Sequence, residues 1–273
     1  MQLEDHLGDI LRKARKMTGT SAASAASAAG ISENELATLE DSGQGAAKIN
    51  FTALAPLIGL DAKKLQGIAN GWRPAVEDLR RWQNLHVFIT ADDSMTVNCF
   101  LAWDAAARAA ALFDTGMDAQ PALDCLAENQ LELRHIFITH SHEDHIEALP
   151  KFRAAFPSAQ IHSASKAAPK SQQIQPGEIF SAGSLQISHR ETPGHADDGV
   201  TYFIAGWPGN PPRVAIVGDT ILAGSMCNGN GQWELAVKKI REEILTQPDE
   251  TLLCPGHGPV TTVAQEKANN PFF

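Results

Sequence analysis

The sequence predicts an α/β layered sandwich preceded by a small all-helical segment. Three observations lead there. The pattern changes near residue 70, from short helices to alternating apolar strands. The later strands come in pairs interleaved with helices, which favours packed layers over a parallel doubly wound sheet. Each group of His and Asp residues falls in a turn directly behind an apolar run, so the chemistry gathers at strand ends.

Within residues 1–70, Leu3, Leu7, Ile10, Leu11 and Ala14 mark an amphipathic first helix. Ser21–Ala29 is a small-residue helix ended by Gly30. Ser32 caps Glu33–Glu40, with Glu35 completing a capping box. Phe51–Ile58 and Asp61–Ala69 supply two more short helices. This rhythm of five helices resembles the Cro/repressor-type helix-turn-helix domain. The expected recognition helix, near Ser32–Asp41, carries Glu33, Glu35, Glu40 and Asp41 and no Lys or Arg. Phosphate contacts supply most of the affinity in that class, so DNA is not the expected partner. The expected role is a scaffold, for self-association as a homodimer or for placing a helix near a functional site.

Gly71–Trp82 reads as a linker that turns helical after Pro74, and residues 83–273 as one α/β domain. Strands are expected at Leu85–Thr90, Met95–Trp103, Ala109–Phe113, His135–Thr139 and Thr251–Cys254. Helices are expected at Ala119–Asn129, Ile146–Phe156 and Gln232–Leu245.

Composition narrows the setting. No apolar run approaches the roughly 18–20 residues of a membrane span. The start MQLEDHLGDILRKARK has no signal-peptide hydrophobic region. Cys99, Cys125, Cys227 and Cys254 lack CxxC spacing and read as reduced, buried residues, so a cytoplasmic location is expected. A net charge of -10 disfavours nonspecific nucleic-acid binding.

The most informative stretch is THSHEDHIEAL, Thr139–Leu149. The i, i+2 spacing lets His140 and His142 point the same way off an extended backbone. Asp144 and His145 come one bend later and can serve a second centre. His195 follows Thr192-Pro193-Gly194, Asp219 follows Gly218, and His257 follows Pro255-Gly256, each behind an apolar strand. Seven N and O donors from four strand ends suit two borderline divalent ions, with Asp219 the natural bridge. Zinc is the first expectation, and iron and manganese share the same ligand types.

A HxHxDH cluster followed by a distant His, Asp and His resembles the metallo-β-lactamase superfamily, over roughly residues 83–273. The resemblance implies a four-layer αββα sandwich with the site at one edge between two sheets. It implies that His140, His142 and His195 hold the first metal, that Asp144, His145 and His257 hold the second, and that Asp219 bridges. Asn98–Leu101, Phe113–Gly116, Thr192–Phe203, Gly218–Ser225 and the tail Gly256–Phe273 resemble the short glyoxalase II-type hydrolases. The chain departs from that branch at Glu147 and at Met226-Cys227-Asn228-Gly229, which leaves the metal set untouched but bears on the substrate.

The implied activity is hydrolysis of a small-molecule acyl thioester of the hydroxyacylglutathione type, by a hydroxide shared between two metals, with Asp144 orienting its proton. A thiolate leaves with little general-acid help. Three rivals stand beside it: a single-iron persulfide dioxygenase-like oxidoreductase, a nucleic-acid hydrolase, and a metal-sensing DNA-binding regulator. His6, His86, His135, His162 and His189 lack a partner pattern and read as surface or core residues.

Overall fold

The computed structural model describes residues 2–44, 49–93 and 95–273. Five helices open the chain: α1 (Leu7–Met17), α2 (Ala22–Ala29), α3 (Glu33–Ser42), α4 (Phe51–Leu57) and α5 (Ala62–Ala69). Their starts are set by local caps. The side chains of Ser21, Ser32, Asn50 and Asp61 each accept a backbone N–H of the turn they begin, and Ser32 forms the expected capping box with Glu35. The first helix starts later than Leu3, because the His6 imidazole caps it by accepting from the Asp9 N–H at 3.1 Å.

Two mixed sheets follow. The first has the order β1 (Leu85–Ala91), β2 (Thr96–Asp104), β3 (Ala109–Phe113), β4 (Glu132–Phe137), β5 (Gln160–His162). The second has the order β11 (Thr261–Thr262), β10 (Leu252–Pro255), β9 (Val214–Gly218), β8 (Val200–Ala205), β7 (Leu185–Glu191), β6 (Ile179–Ala182). Alternation divides each strand between two cores. Phe100, Phe113 and Phe137 of the first sheet meet Ile187, Tyr202 and Ile216 of the second in a central core. Leu101, Leu112 and Ile136 point the other way, onto α6 (Gln120–Glu128) and α8 (Leu149–Ala155). Phe203, Ala215, Val217 and Leu253 point outward from the second sheet, toward α9 (Trp233–Lys239) and α10 (Val263–Asn269). The result is the four-layer αββα sandwich. Ile10, Leu11, Leu36, Leu54 and Leu65 of the opening helices belong to that same outer cluster.

Three expected elements differ. The helix expected at Ile146–Phe156 is two pieces, α7 (Glu143–Ile146) and α8, because Pro150 lacks the N–H that a continuous helix would need. The expected Gln232–Leu245 helix passes from α9 into a π-turn at Ile240–Ile244. The stretch after Pro74 is extended, with only a 3-10 turn at Leu79–Arg81. It docks on α10 instead, where the Ala75 N–H donates to Gln265 Oε1 at 2.5 Å.

One buried carboxylate ties the outer layer together. Glu266, on α10 and 0% exposed, accepts from the Gly224 N–H, Thr261 Oγ and Asn270 Nδ2 at 2.8–3.0 Å. Burial outweighs these donors and pushes its pKa up from 4.5 to about 7. A proton held more tightly when folded stabilises fully below the unfolded value, and that contribution is lost as pH rises toward about 7. Glu266→Gln keeps one acceptor oxygen for Gly224 and Asn270 and can donate to Thr261. In urea titrations, it is expected to gain on the order of 3 kcal/mol relative to wild type between about pH 5 and 8. A constant difference across that range would contradict this account.

Candidate metal centre

Five strand ends converge on one edge of the sandwich. β3 and β4 run parallel, as do β9 and β10, and β7 shares the direction of β9 because both pair antiparallel with β8. The turns leaving these strands carry Asp114, the cluster His140–His145, His195, Asp219 and His257. Asn98 of β2 ties the last of these turns to the first sheet: its Nδ2 donates to the carbonyls of Pro255 and Gly258 at 3.0 and 2.9 Å.

All seven residues singled out from the sequence come together, in two groups. His142 Nδ1 lies 3.0 Å from both His140 Nε2 and His195 Nε2. On the other side, Asp144 Oδ2 lies 3.2 Å from His257 Nε2 and 3.4 Å from His145 Nε2. Asp219 faces both groups, at 3.6 Å from His195 Nε2, 3.3 Å from His257 Nε2 and 3.4 Å from His145 Nε2. Gly256 makes room for this, since a Cβ there would run into the Asp219 carboxylate and the His145 ring.

Four of the five imidazoles have their outer nitrogen engaged, which turns the inner one toward the centre. His145 Nδ1 donates to Asp114 Oδ2 at 2.9 Å. Thr139 Oγ donates to that carboxylate at 2.8 Å and accepts from His140 Nδ1 at 3.1 Å, so Asp114 orients two rings. His195 Nδ1 donates to the Asn228 carbonyl at 3.1 Å, and His257 Nδ1 to the Thr96 carbonyl at 2.6 Å. None of these outer partners had been assigned a role from the sequence. Asp114 was visible there only as part of Phe113–Gly116, and backbone carbonyls carry no residue signature. Cys227 was missed as well: its sulfur lies within 4.8 Å of donor atoms of His195 and Asp219.

The donor set fits divalent cations. His145 Nε2 and Asp219 Oδ1 are buried with no hydrogen-bond partner, a costly state that a cation between them would relieve. Three imidazole nitrogens in mutual contact around His142 likewise cannot all hydrogen-bond to one another. Without a cation, protons take part of its place. Burial lowers the His140 pKa to about 2, and the neighbouring imidazole charges act in the same direction. Burial acts the same way on His145, but the carboxylates of Asp114 and Asp219 override it and raise the pKa to about 10. At His257, burial is overridden by hydrogen bonds to Asp144 and Asp219, and the pKa rises to about 11. In the metal-free chain the stabilisation from these two charged rings is full below the ordinary histidine value of 6.5 and is lost as pH rises through about 10. Zinc added to metal-free protein near pH 7.5 is therefore expected to release about two protons per chain, read with an indicator dye in weak buffer. Uptake with no proton release would rule out this charge assignment.

A family model described as the Metallo-beta-lactamase superfamily matches residues 93–257. The hydroxyacylglutathione hydrolase GloC of Haemophilus influenzae is 27% identical over 202 residues, covering 64% of this chain and 92% of that protein. The probable metallo-hydrolase YqgX of Bacillus subtilis is 27% identical over 186 residues, covering 59% and 86%. The crystal structure of ETHE1 from Myxococcus xanthus superimposes with a TM-score of 0.59 at 30% identity, covering 68% of this chain and 83% of that one. The family match begins after α1–α5.

Proposed function

The chain belongs to the metallo-beta-lactamase superfamily, whose fold implies divalent-metal binding, and from that premise we propose that it is a binuclear thioester hydrolase. The observation that carries this is the pair of donor groups sharing Asp219, with two buried ligand-type atoms left without partners. In this reading His140, His142 and His195 hold one ion, Asp144, His145 and His257 hold the other, and Asp219 serves both. Zinc is the proposed metal, and the similarity to a hydroxyacylglutathione hydrolase supports the substrate class.

Divalent ions bound there supply a Lewis acid for the acyl carbonyl and lower the pKa of water to about 7. The protein's part is orientation. Thr139, Asp114 and the carbonyls of Asn228 and Thr96 engage Nδ1 of four imidazoles, so Nε2 is the nitrogen each would turn to an ion, giving up its proton where it carries one. The Asp144 side chain is partly exposed, with Oδ2 toward the two imidazoles, and its other oxygen is left to hold the proton of the attacking water. Water adds to the acyl carbon, the C–S bond breaks, and the thiolate departs. Its stability as an anion spares the site a general acid.

For the opening helices we propose a scaffolding role, because α3 exposes Glu33, Glu35 and Asp41 and offers no cation to a phosphate. Protein loaded with two equivalents of zinc should hydrolyse S-lactoylglutathione, followed by thiol release. One iron per chain, with dioxygen consumed in the presence of a persulfide, would replace the hydrolase with the oxidoreductase reading.

A further inference from the structure

Helix α1 lies outside the matched family region, yet it forms one wall of a cleft of ≈ 450 Å³ whose other wall is His195, Asp219 and His257. The helix is anchored there. Ile10, Leu11 and Ala14 are buried in the outer core. Lys13 Nζ donates to Asp5 Oδ2 at 2.5 Å and to the Met226 carbonyl at 3.1 Å, and Ser225 Oγ donates to the same Asp5 oxygen. These contacts clamp α1 to the segment that runs from Asp219 to Asn228.

Glu4, Asp5 and Asp9 line the same cleft, and the three cations beside them are unequally engaged. Lys13 is engaged by Asp5, and its side chain is 11% exposed. Arg12 leans on Asp9 at 2.5 Å and on Asp41 at 3.6 Å, with 37% of its side chain exposed. Lys16 is exposed and has no partner among the described residues. Arg12 and Lys16 are spaced i, i+4, so they share one helical face, and Lys16 stands about 10 Å along the axis from Asp9.

We propose that α1 is the leaving-group wall of the site, and that Arg12 and Lys16 select a thiol leaving group that carries a carboxylate. The inference rests on the hydrolase reading above. With the reacting carbonyl at the His and Asp cluster, the thiol extends along the cleft. Its terminal carboxylate meets the Lys16 ammonium, which has no competing partner, and the Arg12 guanidinium, which it would share with Asp9 and Asp41.

The test compares two lactoyl thioesters on the full chain loaded with zinc, one of glutathione and one of uncharged N-acetylcysteamine. Wild type is expected to favour the glutathione ester by about tenfold in kcat/KM, the scale of two partly exposed charge contacts. In the double variant Arg12→Gln, Lys16→Gln the ratio is expected to fall to near one, through KM for the glutathione ester. About 0.5 M salt should compress the wild-type ratio in the same direction. A ratio that survives in the double variant overturns the proposal. Equal cleavage of both esters by wild type overturns it while leaving the hydrolase reading standing. Cleavage of neither ester overturns both.

Discussion

Asp219→Ala is expected to reduce bound metal from two ions to at most one per chain and to lower kcat by about 10³-fold or more. The residue faces both donor groups, within 3.6 Å of an imidazole nitrogen in each. Its carboxylate is 7% exposed, so solvent screens its charge little. Loss of a bridging charge removes several kcal/mol of transition-state stabilisation, and about 1.4 kcal/mol corresponds to each tenfold in rate. The metal-free variant should suffer too. The imidazoles of His145 and His257, at 3.4 and 3.3 Å, hold the Asp219 carboxyl well below the usual carboxylate range against the pull of burial, and the same closeness raises both imidazoles. Without Asp219 both rings are expected to lose their protons at lower pH. Metal analysis, single-substrate kinetics and histidine titration by NMR read the three effects separately. Retention of two tightly held ions with more than about a tenth of the activity would sink the bridging assignment.

Asp114 carries the second large effect. It is 2% exposed and accepts the Thr139 N–H, Thr139 Oγ and His145 Nδ1 at 2.7–2.9 Å. Its backbone lies in the left-handed region, at φ 56. Asp114→Ala strands three buried donors and adds backbone strain, so the expected cost is about 3–5 kcal/mol in a denaturant titration. Asp114→Asn tolerates that backbone and preserves size, but removes the charge that orients His145 and, through Thr139, His140. Its expected signature is a fold that persists, with metal affinity reduced about 10–100-fold in a chelator competition. An asparagine variant with unchanged affinity would reduce Asp114 to a packing residue.

The two variants probe opposite sides of what could be read in advance. Asp219 was legible because it shares a pattern with His195 and His257: an apolar strand, a glycine, then a donor. Asp114 follows β3 directly, with no glycine before it, and donates no atom to the centre. Its importance comes from a ring 31 residues away. Four of the five opening helices were legible nearly to the residue, because Ser21, Ser32, Asn50 and Asp61 cap them locally. The helix behind the cluster was misjudged, since apolar periodicity ran through Pro150 and hid the break.

By itself the sequence determined most of the elements and the seven His and Asp side chains that gather at one edge, because caps, apolar periodicity and ligand chemistry act over a few residues. Only the tertiary structure decided which carbonyls and carboxylate aim the imidazoles, that Cys227 sits beside them, and that α1 closes one side of the cleft. Lys13 meets Met226 across 213 residues of chain. Burial of a shared apolar cluster sets such a contact, and no local pattern encodes it.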